Sequence, residues 1–136
     1  MIVMIHQLMA VDLDRYKWKN RIVIIAANER TDDFRRSVDS METKAADLND
    51  RHLVVFQVVE NGNSFVDSDS LSREHALQIL EMVKPNEGET VTILLGKDSG
   101  EKYRQLGVTD WQEIFRRIDA MPMRQAEMRH NKKDKK

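Results

Sequence analysis

The chain has 136 residues and no cysteine, and its 22 Lys plus Arg nearly balance its 23 Asp plus Glu. That length suits one domain with a real core, and the balanced charge argues against a general binder of nucleic acid or other polyanions. Without cysteine, disulfides, thiolate nucleophiles and cysteine metal sites are excluded together.

The first ten residues, Met1 to Ala10, are apolar apart from His6 and Gln7, and no Lys or Arg precedes them. An export signal needs a basic start and small residues before its cleavage point, so the run reads as a short strand or helix packed on the domain. The alternative is the remnant of a signal that begins upstream. The run is too short for a membrane span, and no other segment approaches that length. The compartment therefore reads as cytoplasmic, or as periplasmic or secreted if an upstream signal has been removed.

Residues 21–27 (RIVIIAA) form a continuous β-branched run that suits a strand covered on both faces. Thr31 caps a predicted helix with Asp32 and Asp33 in its first turn, and Phe34, Val38, Met41, Ala45 and Leu48 give it an apolar face. Leu53 to Val59 is a second buried strand, which completes a βαβ unit. Asn61 to Ser64 reads as a turn, and Ser72 opens a second helix through Ala76, Leu80 and Val83, with Pro85 beyond its end. Thr90 to Leu95 is a third strand. Gly96 to Gly100 turns into a charged antiparallel edge, Glu101 to Arg104.

Thr109 to Gln112 has the pattern of a capping box led by Thr109. Trp111, Ile114, Phe115 and Ile118 form the stripe of a closing helix, which Pro122 stops near Ala120. Ser37, Ser40 and Ser72 read as surface or capping residues. The basic run Arg129 to Lys136 reads as a disordered tail, leaving a single domain over residues 1–128. The element order is β-α-β-α-β-β-α, an α/β thioredoxin-like arrangement with a central mixed sheet flanked by helices.

Two segments carry a more specific signal: Leu94-Leu95-Gly96-Lys97-Asp98-Ser99-Gly100-Glu101-Lys102 and Phe115-Arg116-Arg117-Ile118-Asp119-Ala120-Met121-Pro122-Met123-Arg124. With Trp18 to Arg21 and Asp50 to Val55, they resemble a peroxiredoxin-like family of unknown function, P-DUDES. That family occurs as bacterial single-domain proteins and as a C-terminal domain of vertebrate extracellular proteins, including the sushi-repeat-containing ones. The resemblance spans roughly residues 13 to 129 and implies a thioredoxin-like fold, but it carries no established catalytic residues. The place of the reactive thioredoxin cysteine falls on Ala27 to Asp33, where no thiol stands. Pro85, five residues before Thr90, does not match the thioredoxin proline either. A cysteine-based redox role is excluded.

Four constellations remain. The loop at Asn28 to Asp33 offers a helix N-terminus and Arg30 to an anion, but Asp32 and Asp33 already fill that positive potential, so it reads as an ordinary capped start. Lys97, Asp98, Lys102 and Arg104, with Arg124, either hold a carboxylate or phosphate or form a self-bonded turn beside solvated lysines; the turn is preferred. Asp119 ends a helix where the dipole disfavours an acid, which calls for a partner such as Arg124 or Arg21. Met121, Met123 and Met128 around Pro122 either fill the core or dock a partner. His6, His52, His75 and His130 are scattered, so neither a metal nor a cofactor is expected.

Two functions follow as expectations. One is a non-catalytic module that contacts an unknown protein partner through the Met121-Pro122-Met123-Arg124 corner and the Lys97 to Lys102 hairpin. The other is an anion or small-carboxylate binder, or an enzyme, in which Arg51, Lys97, Asp98, Asp119 and Arg124 converge on one pocket. A structure decides whether they converge.

Overall fold

The computed structural model describes residues 13–134. The strand or helix expected over residues 1–10 lies outside them, as do the last two residues of the basic run. Strand β1 (Arg21–Ala27) pairs in parallel with β2 (Leu53–Val59), in register from Arg21 opposite Leu53 to Ala27 opposite Val59. On its other side β1 pairs antiparallel with β5 (Thr90–Leu95), which continues into the edge strand β6 (Glu101–Leu106). This is the expected thioredoxin-like centre.

Two short strands, β3 (Ser64–Val66) and β4 (Asp69–Leu71), add a hairpin outside β2, just past the turn expected at Asn61 to Ser64, in a stretch to which the sequence reading gives no element. Three residues are too few to show a strand period. Here Asp67 fixes the hairpin, its backbone in the left-handed region (φ 52°) and its carboxylate accepting the Val55 amide at 2.9 Å. Among the described residues the sheet order is β4-β3-β2-β1-β5-β6.

The central strands are buried end to end, and alternate residues feed two cores. Ile22, Ile24 and Ala26 join Val54, Phe56, Val58, Val91 and Ile93 beneath helix α3 (Arg73–Val83), which supplies Ala76, Ile79, Leu80 and Val83. Val23, Ile25 and Ala27 face the other way, onto Phe34 of helix α1 (Asp32–Met41) and Trp111, Ile114, Phe115 and Ile118 of helix α4 (Trp111–Asp119). Each fully buried Val, Leu, Ile or Phe contributes about 1.5–3 kcal/mol. Covering both faces explains why these strands read as unbroken apolar runs rather than as alternating ones.

Helix α1 starts as predicted, with the Thr31 hydroxyl accepting the Phe34 amide at 3.0 Å. It does not continue to Leu48: a 3-10 turn (Glu42–Lys44) separates it from the short helix α2 (Ala45–Asp50). Ser72 caps α3 as expected, accepting from the His75 amide.

Three local expectations are corrected. The cap of α4 is Asp110, which accepts the Glu113 amide at 3.1 Å, rather than Thr109. Thr109 is buried and shares its hydroxyl with that of Thr92 at 2.8 Å, since an unpaired hydroxyl inside the sheet layer would be costly. Ser37 is fully buried rather than on the surface. Its hydroxyl donates to Asp33 O and accepts the Thr109 amide, tying α1 to the start of α4.

The third concerns Pro122. It does close off α4, but it also opens another helix, α5 (Pro122–Asp134), which continues through residues 129–134 where a disordered tail was expected. Proline suits the first turn of a helix, where its missing N–H costs nothing, and no later Gly or Pro interrupts the run.

Candidate functional site

Strand β1 begins with an arginine inside the sheet: Arg21 is 1% exposed. A buried guanidinium needs acceptors, and helix α5 brings them. Glu127 receives Arg21 in a two-pronged pair, Nη1 to Oε1 and Nη2 to Oε2, both at 3.0 Å. Arg21 Nη1 also donates to the Arg51 carbonyl at 3.0 Å. The same Glu127 Oε2 accepts Lys97 Nζ at 2.8 Å, and Lys97 is itself buried. Lys97 Nζ also lies 2.8 Å from His52 Nδ1. Burial works against the Glu127 carboxylate, but the hydrogen bonds and charges of Arg21 and Lys97 outweigh it and hold its pKa below the usual value.

A second ion cluster stands beside the first. Asp119 Oδ1 accepts Arg51 Nε (3.1 Å) and Arg124 Nε (2.9 Å), and Oδ2 accepts Arg51 Nη2 at 2.9 Å. Arg124 is 2% exposed and reaches on to the Asp50 carbonyl and carboxylate at 3.0 and 2.7 Å. The guanidinium of Arg51 lies 4.4 Å from the centre of the Phe115 ring. The partner expected for Asp119 is therefore Arg124, joined by Arg51, whereas Arg21 pairs with Glu127. Burial raises the Asp119 pKa, and the two arginines more than reverse that.

In front of these clusters lies a cleft of about 310 Å³ between the start of β1, the β5–β6 hairpin and the α4–α5 corner. Trp18, Met121, Pro122 and Met123 give it apolar walls, Arg21 and Lys97 lie at its base, and Asp98 and Lys102 edge it. The hairpin and the methionine corner singled out in the sequence thus face each other across one space. Asp98 is occupied as the turn reading expected: Oδ1 accepts the Gly100 amide and Oδ2 pairs with Lys102 Nζ, each at 2.9 Å. Arg104 points elsewhere, pairing with Glu101 along β6.

Trp18 is the least economical residue of the cleft. The residue is 60% exposed, and its backbone sits in the left-handed region (φ 66°), which costs a non-glycine residue about 1–3 kcal/mol. The conformation is held by the Trp18 amide, which donates to the Lys97 carbonyl at 2.6 Å.

The five side chains expected to converge do not share one concave site. Lys97 and Asp98 line the cleft, whereas Arg51, Asp119 and Arg124 are bonded to one another behind it. Glu127, which organises the buried cations, was missed by the sequence reading, although an arginine at the head of a buried strand signals that a carboxylate must come to it. The loop at Asn28 to Asp33 lies at the far end of β1, roughly 20 Å away at about 3.3 Å per residue. There Arg30 is spent on the Asn63 carbonyl (3.1 Å) and on the faces of Phe34 and Phe65. No cysteine exists for thiol chemistry. Among the described residues no cluster of three or more His, Asp or Glu is placed to hold a metal ion, and no helix is long and apolar enough to cross a membrane.

His52 makes the network sensitive to acid. Burial and the cation of Lys97 hold its pKa below the ordinary 6.5. Between the folded value and 6.5 the unfolded chain binds more protons, so stability is full above 6.5 and falls as the pH drops through that window. Glu127 and Asp119, also lowered, add their losses below their ordinary 4.5 and 3.8. Thermal melts from about pH 8 to about pH 3 should show a plateau, a shallow decline beginning below 6.5, and a steeper one in the acid range. His52→Gln should remove the shallow step alone; an unchanged profile in that variant would contradict the assignment.

A family model described as a domain of unknown function (DUF4174) matches residues 12–127, a span that includes both ion clusters and every residue lining the cleft. No curated protein and no solved structure matches the chain.

Proposed function

The chain belongs to the DUF4174 family, a domain of unknown function, and we propose that it is a non-catalytic binding module that docks a segment of a partner protein in the Trp18–Met123 cleft. The observation that carries this reading is Trp18: a large apolar ring, strained in its backbone and mostly in water, beside a slot walled by methionine and proline. Backbone strain persists where the surrounding structure imposes it, and it gathers at binding sites. Aromatic rings and methionine are favoured where a surface accepts another chain, and the slot has the volume for one apolar side chain.

The charges support a binding role over catalysis. Arg21, Arg51 and Arg124, Glu127 and Asp119 are each engaged by partners within the domain, so they stiffen the floor and back of the cleft rather than wait for a substrate. The finer kinship, to the peroxiredoxin-like P-DUDES domains, is supported by the Leu94 to Lys102 and Phe115 to Arg124 segments, which border this cleft.

Selection of a random peptide library on the wild-type protein tests the reading. The peptides recovered should lose binding to Trp18→Ala, whose melting temperature should stay close to that of the wild type because the side chain removed is mostly exposed and the left-handed backbone is kept. Peptides that bind both proteins equally, or no recovery at all, would refute docking in this cleft.

A further inference from the structure

We infer that the occupant of this cleft is an acidic chain segment, one that presents an apolar side chain to Trp18 and Met123 with Asp or Glu beside it; this deepens the docking reading above and rests on it. The argument is local charge. The whole chain carries a net −1, yet Arg21, Lys97 and Lys102 line the cleft against the one acid Asp98, with Glu127 paired to Arg21 and Lys97 and with Lys17 and Lys19 flanking Trp18 in the chain.

The two carboxylates have little left to offer a ligand. Glu127 is taken up by Arg21 and Lys97, and both oxygens of Asp98 are engaged by Gly100 and Lys102. The two lysines that flank Trp18 stand open to solvent. Lys17 and Lys19 are exposed on either side of Trp18 in the chain, the Lys17 ammonium 5.8 Å from the indole centre, whereas Lys102 is already paired with Asp98. An apolar side chain held against the Trp18 ring would therefore bring its neighbouring residues beside two accessible cations, Lys17 and Lys19. Carboxylates there gain attraction and meet no free acid among the lining residues, whereas lysine or arginine would be repelled. A single-stranded nucleic acid would also meet cations and a ring, but it stacks successive bases on successive aromatics along a groove, and among the described residues Trp18 is the one aromatic lining this cleft.

The test is the composition and salt response of the peptides that depend on Trp18. They should carry Asp or Glu within two residues of a Leu, Met or Phe. Their affinity, read by fluorescence anisotropy, should fall severalfold as ionic strength rises from about 0.05 to about 0.3 M. Lys17→Glu with Lys19→Glu should weaken them about tenfold. Trp18-dependent peptides that are neutral or basic, or that ignore salt and both of these lysines, would overturn the acidic assignment while leaving the docking site intact. Absence of any Trp18-dependent peptide removes the docking site itself. Competition by an oligothymidylate at lower concentration than the acidic peptide would also overturn the assignment.

Discussion

Glu127→Ala is expected to destabilise the protein by about 3–5 kcal/mol, because it strands two cations rather than one. Arg21 and Lys97 have side chains 1% and 7% exposed, and both give hydrogen bonds to this one carboxylate. Removing it leaves Arg21 with only the Arg51 carbonyl and Lys97 with only the His52 ring. Glu127→Gln keeps a carbonyl acceptor and the shape, so it should lose less than alanine but still lose the charge. Chemical denaturation measures the difference. A midpoint unchanged in the alanine variant would show that the pair contributes nothing net.

The damage should also be local before it is global. Across residues 122–132 of α5 Arg124 is the one side chain that is buried, so the helix is held against the body by ions rather than by an apolar stripe. Hydrogen exchange in Glu127→Ala should therefore rise first over residues 122–134, while β1, β2 and β5 stay protected. Uniform acceleration across the sheet would argue that Glu127 supports the core directly.

That same construction explains what the sequence disclosed and what it hid. The strands at 21–27 and 53–59 announce themselves because a strand covered on both faces is apolar throughout. Helix α4 does so because Trp111, Ile114, Phe115 and Ile118 fall on one side. Helix α5 has no such stripe, and Pro122 is a signal with two meanings: it ends one helix and is welcome at the start of the next. Glu127 sits in that unannounced helix, 106 residues from Arg21, and no local pattern links them. The hairpin and the methionine corner were legible as motifs, but that they face each other across a cleft depends on how α4 and α5 pack beyond the sheet. Arg124, expected to take part in the contact corner with Met121 to Met123, is buried, so reversing its charge tests folding and not binding.

Asp119→Asn separates two opposed effects by its sign. The residue ends helix α4, where the carbonyl dipoles repel an acid, and relieving that repulsion alone would stabilise the fold by about 0.3–1 kcal/mol. Against this, its carboxylate accepts hydrogen bonds from Arg51 and Arg124, the latter buried, and bonds to charged groups contribute about 1.5–3 kcal/mol each. Solvent reaches 36% of the Asp119 side chain, and Arg124 keeps Asp50, which discounts the second effect. The balance still falls on the side of the pair: asparagine should lower stability by about 1–2 kcal/mol, and should flatten the acid limb of the pH profile because the lowered carboxylate no longer titrates. Combining it with Arg51→Met should cost less than the sum of the two single changes, since each removes the same contact. A stabilised Asp119→Asn would mean that the helix dipole outweighs the two arginines, and that the cluster behind the cleft does not brace it.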